Sequence, residues 1–236
     1  MSDATPIVFV VDDDAPARRS VKCLLRSAGL LPEVFGTAQE FLARPRARAP
    51  CCLVLDVTLP DLNGLELQKR VAVDHGEMPI IFTTACRDVA TTVRAMKAGA
   101  LEFLTKPIDA DELLSAVRNA IECSRKILVR ESELRTLRER LASLTTREKE
   151  VMALIVAGQL NKQAGSELGI SEVTVKAHRG SVMRKMQAES FAHLVAMATK
   201  LGPIVIPRIV RVIPRCGQYH WRIQRTSAPA VISPEL

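Results

Sequence analysis

Residues 7–14 read IVFVVDDD, five apolar residues followed by three carboxylates. A short, uninterrupted apolar run of this kind is typical of a β-strand that is buried on both faces. The three adjacent carboxylates repel one another, and each raises the free energy needed to ionise the next. We therefore expect a group from elsewhere in the chain to offset this repulsion at the end of the strand.

The first half of the chain repeats this strand pattern and follows each copy with a helical pattern. Apolar residues recur at helical spacing after every strand-like run, and glycine or proline ends most of these helical segments. This alternation favours a doubly wound α/β fold, with a five-stranded parallel sheet between two layers of helices. The predicted strands are residues 7–11, 31–36, 51–56, 79–84 and 100–107.

Polar side chains lie at the carboxyl ends of four predicted strands. Asp12–Asp14, Asp56, Thr84 and Lys106 occupy these positions, and ligands of such sheets bind outside the carboxyl ends of the strands. Carboxylates from two strands, with no cysteine or histidine beside them, suit Mg²⁺, and a cation would neutralise the repulsion. A carboxylate beside a metal ion, a lysine and a hydroxyl group is suited to attack a phosphoryl group. Asp14 is interpreted as a solvated residue at the start of the first helix.

Four motifs resemble the receiver domain of two-component response regulators, in the order and approximate spacing of that family. They are VDDD (11–14), LVLDVTLPDLNG (53–64), PIIFTTACRD (79–88) and FLTKP (103–107). The resemblance covers residues 7–122 and implies a flavodoxin-like fold in which Asp56 accepts a phosphoryl group from a sensor histidine kinase.

The same resemblance implies how Asp56 is assisted. It makes Thr84 and Phe103 the switch, in which the phenylalanine ring turns inward as the threonine moves toward the phosphate. The implied site residues are the Mg²⁺ ligands Asp12, Asp13, Asp56 and the backbone carbonyl of Thr58, and the phosphoryl-binding Thr84 and Lys106.

Helical patterning continues from about residue 120 to residue 144. Ile127, Leu134, Leu137, Leu141 and Leu144 form a heptad-like stripe. Two interpretations are open: the stripe pairs with a second copy of the chain, or it lies on the protein's own domains.

Residues 144–202 resemble the LuxR/FixJ-type DNA-binding domain through LTTREKEV, GQLNK, ELGIS, TVKAHR and MRKM. Thr145 and Glu148 form a capping-box pattern, and Gly169 lies in the tight turn of a helix-turn-helix. Gly165, inside a predicted helix, costs about 1 kcal/mol relative to alanine. We therefore predict a domain that is marginally stable or that needs DNA or a partner to settle.

Residues 171–186 are the predicted recognition helix, which enters the DNA major groove. Val175, Val182 and Met186 are predicted to pack inward, whereas the basic side chains are expected mainly to contact phosphates. The predicted DNA-contacting residues are Glu172, Val173, Lys176, His178, Arg179, Arg184 and Lys185.

Charge is distributed unevenly along the 236 residues, whose formal net charge is +7. Residues 1–125 carry 15 basic and 17 acidic side chains, whereas residues 144–202 carry 8 and 5. A basic second half indicates an anionic partner for that half. The predicted domains are residues 1–122, a helical linker 123–143, residues 144–202, and a basic, irregular tail 203–236.

The remaining composition indicates a cytoplasmic protein without a membrane partner. The six cysteines show no CxxC pair and are interpreted as reduced, structural thiols. No apolar run reaches the roughly 18 residues that span a bilayer. The chain also starts without the basic segment of a signal peptide.

The leading hypothesis is a phosphorylation-dependent transcriptional regulator that dimerises when phosphorylated, binds DNA and acts on RNA polymerase. Such a protein is not an enzyme beyond slow self-phosphorylation and self-dephosphorylation. One alternative is a phosphate-independent adaptor with a receiver-like fold. A second is a Mg²⁺-dependent aspartyl phosphatase, which is disfavoured because Asp56-Val57-Thr58 lacks the second acid usual in such enzymes.

Overall fold

The computed structural model describes residues 5–47, 49–74, 77–85, 89–202, 210–213 and 222–224. The chain divides into two compact units, Met1–Arg130 and Glu131–Leu236. This division falls inside the predicted linker of residues 123–143. The predicted limits of the individual domains stay a prediction.

The first unit contains a five-stranded sheet in which every neighbouring pair of strands is parallel. The strand order β2-β1-β3-β4-β5 confirms the predicted doubly wound fold. Val11 pairs with Leu55 and Thr84 pairs with Thr105, so the strands reach the same edge of the sheet together. The strands are β1 (Ile7–Val11), β2 (Leu31–Phe35), β3 (Cys51–Asp56), β4 (Ile80–Thr84) and β5 (Glu102–Thr105).

Helices cover both faces of this sheet and create two cores. Successive side chains of a strand point to opposite faces, so Phe9 packs into one core while Val8 and Val10 pack into the other. Phe41 and Phe82 complete the aromatic part of the first core. The helices are α1 (Ala15–Ser27), α2 (Ala38–Leu42), α3 (Gly64–Asp74), α4 (Val89–Lys97) and α5 (Ala110–Ala142).

Helix α5 is one continuous helix whose residues belong to both units. In the first unit, the buried Ser124 accepts a hydrogen bond from the backbone N–H of Cys51, at 3.0 Å. In the second unit, Leu137 of α5 and Leu144, just after the end of α5, are buried, and Leu141 packs against the same core. These contacts favour the interpretation that this part of the leucine stripe lies on the protein's own domain.

The second unit contains the four predicted helices, α6 (Thr146–Val156), α7 (Asn161–Leu168), α8 (Glu172–Met186) and α9 (Phe191–Leu201). The predicted capping box is present at the start of α6. The backbone N–H of Glu148 donates to Thr145 Oγ1 at 3.2 Å, and that of Thr145 donates to Glu148 Oε2 at 2.7 Å. These two bonds fix the first turn of α6.

Two short antiparallel strands, β6 (Val210–Ile213) and β7 (Arg222–Gln224), lie in the tail. The sequence pattern predicted no strand here, and the prediction that residues 203–236 are mostly irregular stays a prediction. The rest of the tail lies outside the described residues.

The described cysteines form no disulfide with one another. Cys51 and Cys52 are buried, Cys123 is half-buried and Cys23 is exposed. Burial raises the pKa of the Cys52 thiol, which keeps it in the unreactive protonated form. Cys86 and Cys216 lie outside the described residues. Within the described part of the chain, no helix combines the length and the apolarity that a membrane crossing requires.

Candidate functional site

Three carboxylates meet at the carboxyl edge of the sheet, as predicted. Asp12 follows β1 directly and Asp56 ends β3, and these residues are only 4% and 6% exposed, whereas Asp13 is exposed. One carboxylate oxygen from each of the three aspartates lies within 4.8 Å of the others. Mg²⁺ prefers hard oxygen donors of this kind, so these residues fit Mg²⁺.

Lys106 brings a positive charge to the acidic cluster. Its ammonium group donates a hydrogen bond to Asp12 Oδ2 at 2.8 Å and another to Asp56 Oδ2. Burial alone would lower the pKa of Lys106, but its hydrogen bonds to Asp12 and Asp56 outweigh burial and raise that pKa. Lys106 therefore stays charged and offsets part of the repulsion between the carboxylates.

Backbone groups hold the remaining carboxylate oxygens of the buried aspartates. The N–H of Thr58 donates to Asp56 Oδ1 at 2.8 Å, and the N–H of Asp14 donates to Asp12 Oδ1 at 2.9 Å. The guanidinium of Arg18 donates to the backbone carbonyl of Asp12. Asp14 itself is exposed and precedes α1, which matches the predicted helix-start position.

The two predicted switch residues lie on the last two strands of the sheet. Thr84 ends β4 and is buried, and its carbonyl accepts the backbone N–H of Lys106 at 2.7 Å. Phe103, on β5, is half-buried, and its ring centroid lies 6.3 Å from that of Phe82. The motion of the threonine and the aromatic ring stays a prediction.

Sequence reasoning missed Gly64 and Asp61, which hold the loop after Asp56. A Cβ atom on Gly64 would lie 2.7 Å from the backbone oxygen of Asp56, so only glycine fits there without displacing that backbone. Asp61 accepts hydrogen bonds from the backbone N–H groups of Ala38 and Gln39. The Asn-Gly pair at residues 63–64 predicts a turn, but no local signal predicts its contact partners.

Helix α8 of the second unit has a buried side and an exposed side. Val175, Val182 and Met186 are fully buried, which confirms their predicted inward packing. Because helical residues advance about 100° each, Val173 and Arg184 lie on the opposite side and Lys176 lies on the flank beside it, and all three are exposed. This side is the surface of α8 that is available to a partner.

The other predicted DNA-contacting residues are half-buried or already bind other side chains of the second unit. Lys185 donates to Glu148 Oε2 at 2.7 Å. The Arg179 guanidinium lies 4.8 Å from the ring centroid of Phe191. His178 is half-buried, and Glu172 forms an exposed ion pair with Lys176 at 3.0 Å.

An acidic cluster with a lysine at the carboxyl edge of a five-stranded parallel sheet defines the receiver class of phosphoacceptor proteins. The second unit adds a helix-turn-helix. Residues 8–118 match the response regulator receiver domain, and residues 142–198 match the LuxR family of bacterial regulatory proteins. The chain belongs to the two-component response regulators that combine these two domains.

Similar proteins match this chain over most of their length. Nodulation protein W of Bradyrhizobium diazoefficiens is 46% identical over 196 residues, which are 83% of this chain and 86% of that protein. Transcriptional regulatory protein FixJ of the same organism is 39% identical over 195 residues, 83% of this chain and 95% of that protein. The solved structure of response regulator StyR has a TM-score of 0.70 and 43% identity, and covers 84% of this chain and 100% of that one.

These comparisons confirm the predicted family and its general function. The protein is a phosphorylation-dependent transcriptional regulator, and its two domains imply a kinase and DNA as partners.

Proposed function

We propose that Asp56 is the phosphoacceptor of this regulator and that a sensor histidine kinase is its phosphoryl donor. The observation that carries the proposal is the meeting of three carboxylates and Lys106 at one edge of the sheet. In the transfer, an Asp56 oxygen forms a bond to phosphorus while the bond from phosphorus to the kinase histidine breaks. The histidine nitrogen keeps the electron pair of the broken bond.

The surrounding residues would stabilise this transfer through their charges and hydrogen-bond donors. Lys106 and Thr84 would bind the phosphoryl oxygens, on which negative charge is spread in the transition state. A bound Mg²⁺ would supply further positive charge at the same oxygens. Its ligands would be Asp12, Asp13, Asp56 and the backbone carbonyl of Thr58.

Phosphorylation would act on the rest of the protein through Thr84 and Phe103. The phosphoryl group adds negative charge at Asp56 and draws the Thr84 hydroxyl toward it, and the ring of Phe103 follows inward. The altered surface of the first unit would favour a homodimer, so that two helix-turn-helix units meet two DNA half-sites. We propose RNA polymerase as the partner that the DNA-bound dimer acts on.

The exposed side of α8 supports a direct role in DNA binding. Lys176 and Arg184 would contact phosphates, whereas Glu172 and Val173, at the start of the helix, would reach base edges. We place His178 and Arg179 at the edge of this interface, because both are half-buried. Lys185 is left out of the proposed interface, because its ammonium already binds the buried carboxylate of Glu148.

We propose a cytoplasmic location, which DNA as the partner of the second unit supports. The first unit would at most phosphorylate itself slowly from small phosphodonors and lose the phosphoryl group slowly, without turnover of a separate substrate.

Beryllofluoride or acetyl phosphate, each with Mg²⁺, tests the proposal. Sedimentation should show the full chain shifting from monomer toward dimer, and its affinity for duplex DNA should rise. Asp56→Asn removes the nucleophilic oxygen and should abolish both responses. An unchanged oligomeric state and DNA affinity in the wild type would instead support the phosphate-independent adaptor.

A further inference from the structure

The loop between β3 and α3, residues 57–63, forms one side of the proposed metal site because it carries Thr58. Its start is fixed by a hydrogen bond from Val57 N to Thr83 O, at 3.0 Å. Its end is fixed by a hydrogen bond from Gly64 N to Val57 O, also at 3.0 Å. The sheet therefore holds the start of the loop, and the start of the loop holds its end.

Asp61 attaches the middle of this loop to a different element. Its Oδ1 accepts the backbone N–H of Ala38 at 3.3 Å, and its Oδ2 accepts that of Gln39 at 3.1 Å. These are the first two residues of α2, and such N–H groups have no partner within a helix. Thr37 Oγ1 accepts the backbone N–H of the next helical residue, Glu40, at 3.2 Å. Asp61 thus completes the capping of α2 from a distance of more than 20 positions in the sequence.

Helix α2 is a firm attachment point because one side of it is buried in the core. Ala38 and Phe41 are completely buried. The ring of Phe41 packs edge-on against Phe9 and Phe35, with centroid separations of 5.5 and 5.6 Å. A loop bonded to α2 is therefore held in place by the core of the first unit.

We propose that Asp61 is a positioning residue for Mg²⁺ binding, which acts by holding the loop so that Thr58 stays beside Asp56. The inference rests on the proposed metal site. Among the described residues, the carboxylates that share a metal-sized cluster are Asp12, Asp13 and Asp56. Asp61 is outside this cluster, so its effect on the metal passes through the loop backbone. Groups that orient metal ligands in this way commonly change metal affinity by about 10–100-fold when they are removed.

Calorimetric titration of the full chain with Mg²⁺ measures the effect of Asp61. Asp61→Ala should weaken Mg²⁺ binding about tenfold. Asp61→Asn should cause a smaller loss, because its amide oxygen still accepts one of the two N–H groups. Glu40→Gln is the matched control on α2: the Glu40 carboxylate accepts the N–H of Gly36, which lies outside the loop, at 2.8 Å. Its Mg²⁺ affinity should match that of the wild type.

A second readout does not depend on the metal. Hydrogen exchange at the backbone amides of Ala38 and Gln39 should become faster in Asp61→Ala without Mg²⁺, and should stay unchanged in Glu40→Gln. Wild-type Mg²⁺ affinity in Asp61→Ala would overturn the inference. If that variant does not fold, wild-type affinity in Asp61→Asn would overturn it equally.

Two further comparisons distinguish the positioning role of Asp61 from a charge effect and from a failure of the metal site itself. An equal loss in Asp61→Ala and Asp61→Asn that disappears in about 1 M salt would indicate a long-range charge effect and would overturn the positioning role. Asp13→Asn tests the metal site. Weaker Mg²⁺ binding in Asp13→Asn with unchanged binding in Asp61→Ala rejects only the inference, whereas unchanged binding in Asp13→Asn rejects the proposed metal site.

Discussion

Three consecutive aspartates follow β1, and each has a different environment. Asp12 is buried and accepts hydrogen bonds from Lys106 and from the backbone of Asp14. Asp13 is exposed, although its carboxylate belongs to the acidic cluster. Asp14 is exposed and precedes α1. The repulsion expected from IVFVVDDD is therefore reduced by the exposure of Asp13 and Asp14 to water and by the ammonium group of Lys106, which binds both Asp12 and Asp56.

These environments predict different effects for two neighbouring substitutions. Asp13→Asn should weaken Mg²⁺ binding about 10–100-fold and slow phosphorylation, because it removes a proposed metal ligand. Asp14→Asn should change both properties less than about twofold, because its charge faces water. Mg²⁺ titration and phosphorylation by acetyl phosphate measure the two effects. Similar behaviour of the two variants would contradict the assignment of ligands to this run.

At the scale of the element, Gly165 determines how closely α7 packs against the rest of the helix-turn-helix. A Cβ atom on this residue would lie 2.7 Å from the backbone oxygen of Ile170 and 3.5 Å from Val175 Cγ2. The sequence-based hypothesis of marginal stability counted only the cost of a glycine in a helix. The structure adds a close contact between α7 and the following turn that any side chain would prevent.

Alanine substitutions at two helical glycines should therefore have opposite effects on stability. Gly165→Ala should lower the free energy of unfolding by about 1–3 kcal/mol, because the added carbon overpacks the site. Gly180→Ala, in α8, should raise it by up to about 1 kcal/mol, because nothing lies within 4 Å of the added Cβ. Calorimetric unfolding of the full chain measures both. A higher melting temperature for Gly165→Ala would show that the contact with Ile170 is easily relieved.

The Lys185–Glu148 ion pair joins the end of α8 to the start of α6. The hydrogen bond from Lys185 lowers the pKa of the Glu148 carboxyl. Because the pKa of Glu148 is lower in the folded than in the unfolded protein, the ionised carboxylate stabilises the fold. The stabilisation is complete above about pH 4.3, the usual glutamate value, and is lost as the pH falls through the lower folded-state pKa.

Glu148→Gln should therefore destabilise the second unit at neutral pH and much less in acid. We expect a loss of about 1.5–3 kcal/mol at pH 7, the range for a hydrogen bond to a charged group. The difference from the wild type should narrow below about pH 4. Melting temperatures across this pH range provide the measurement. Glu172→Gln, which removes only an exposed pair, is the control and should cost less than about 1 kcal/mol at any pH.

The strands and the acidic site could be predicted because both leave local patterns in the sequence. Buried strands are continuous apolar runs, and parallel strands place their final residues at a common edge, so Asp12, Asp56 and Lys106 were expected to meet. The pairing of Lys185 with Glu148 and the capping of α2 by Asp61 were not predicted. These contacts join positions more than 20 residues apart and leave no periodic pattern in the chain.

At the scale of the whole molecule, basic charge is concentrated in the half that carries α8. Residues 144–202 have 8 basic and 5 acidic side chains, while residues 1–125 have slightly more acidic than basic ones. DNA affinity should consequently depend on salt, because each phosphate contact releases bound counterions. The dependence should come from the second unit.

Removing one exposed arginine tests this dependence. Arg184→Ala should reduce the slope of log affinity against log salt concentration by about 1, the value for one lost phosphate contact. Lys69→Ala removes an exposed charge from the first unit and should leave the slope unchanged. Titration of a labelled random-sequence duplex at several salt concentrations gives both slopes. Equal slopes for wild type and Arg184→Ala would remove Arg184 from the DNA interface.

Gly64 has a consequence for how inactivating mutations are distributed in this protein. The backbone oxygen of Asp56, the proposed phosphoacceptor, occupies the space that any side chain at position 64 would need. A genetic screen for loss of signalling should therefore recover many different substitutions at this position, conservative and drastic ones alike. Position 64 tolerates no substitution because its residue must have no Cβ atom. A search for functional residues that considers only reactive side chains would overlook this position.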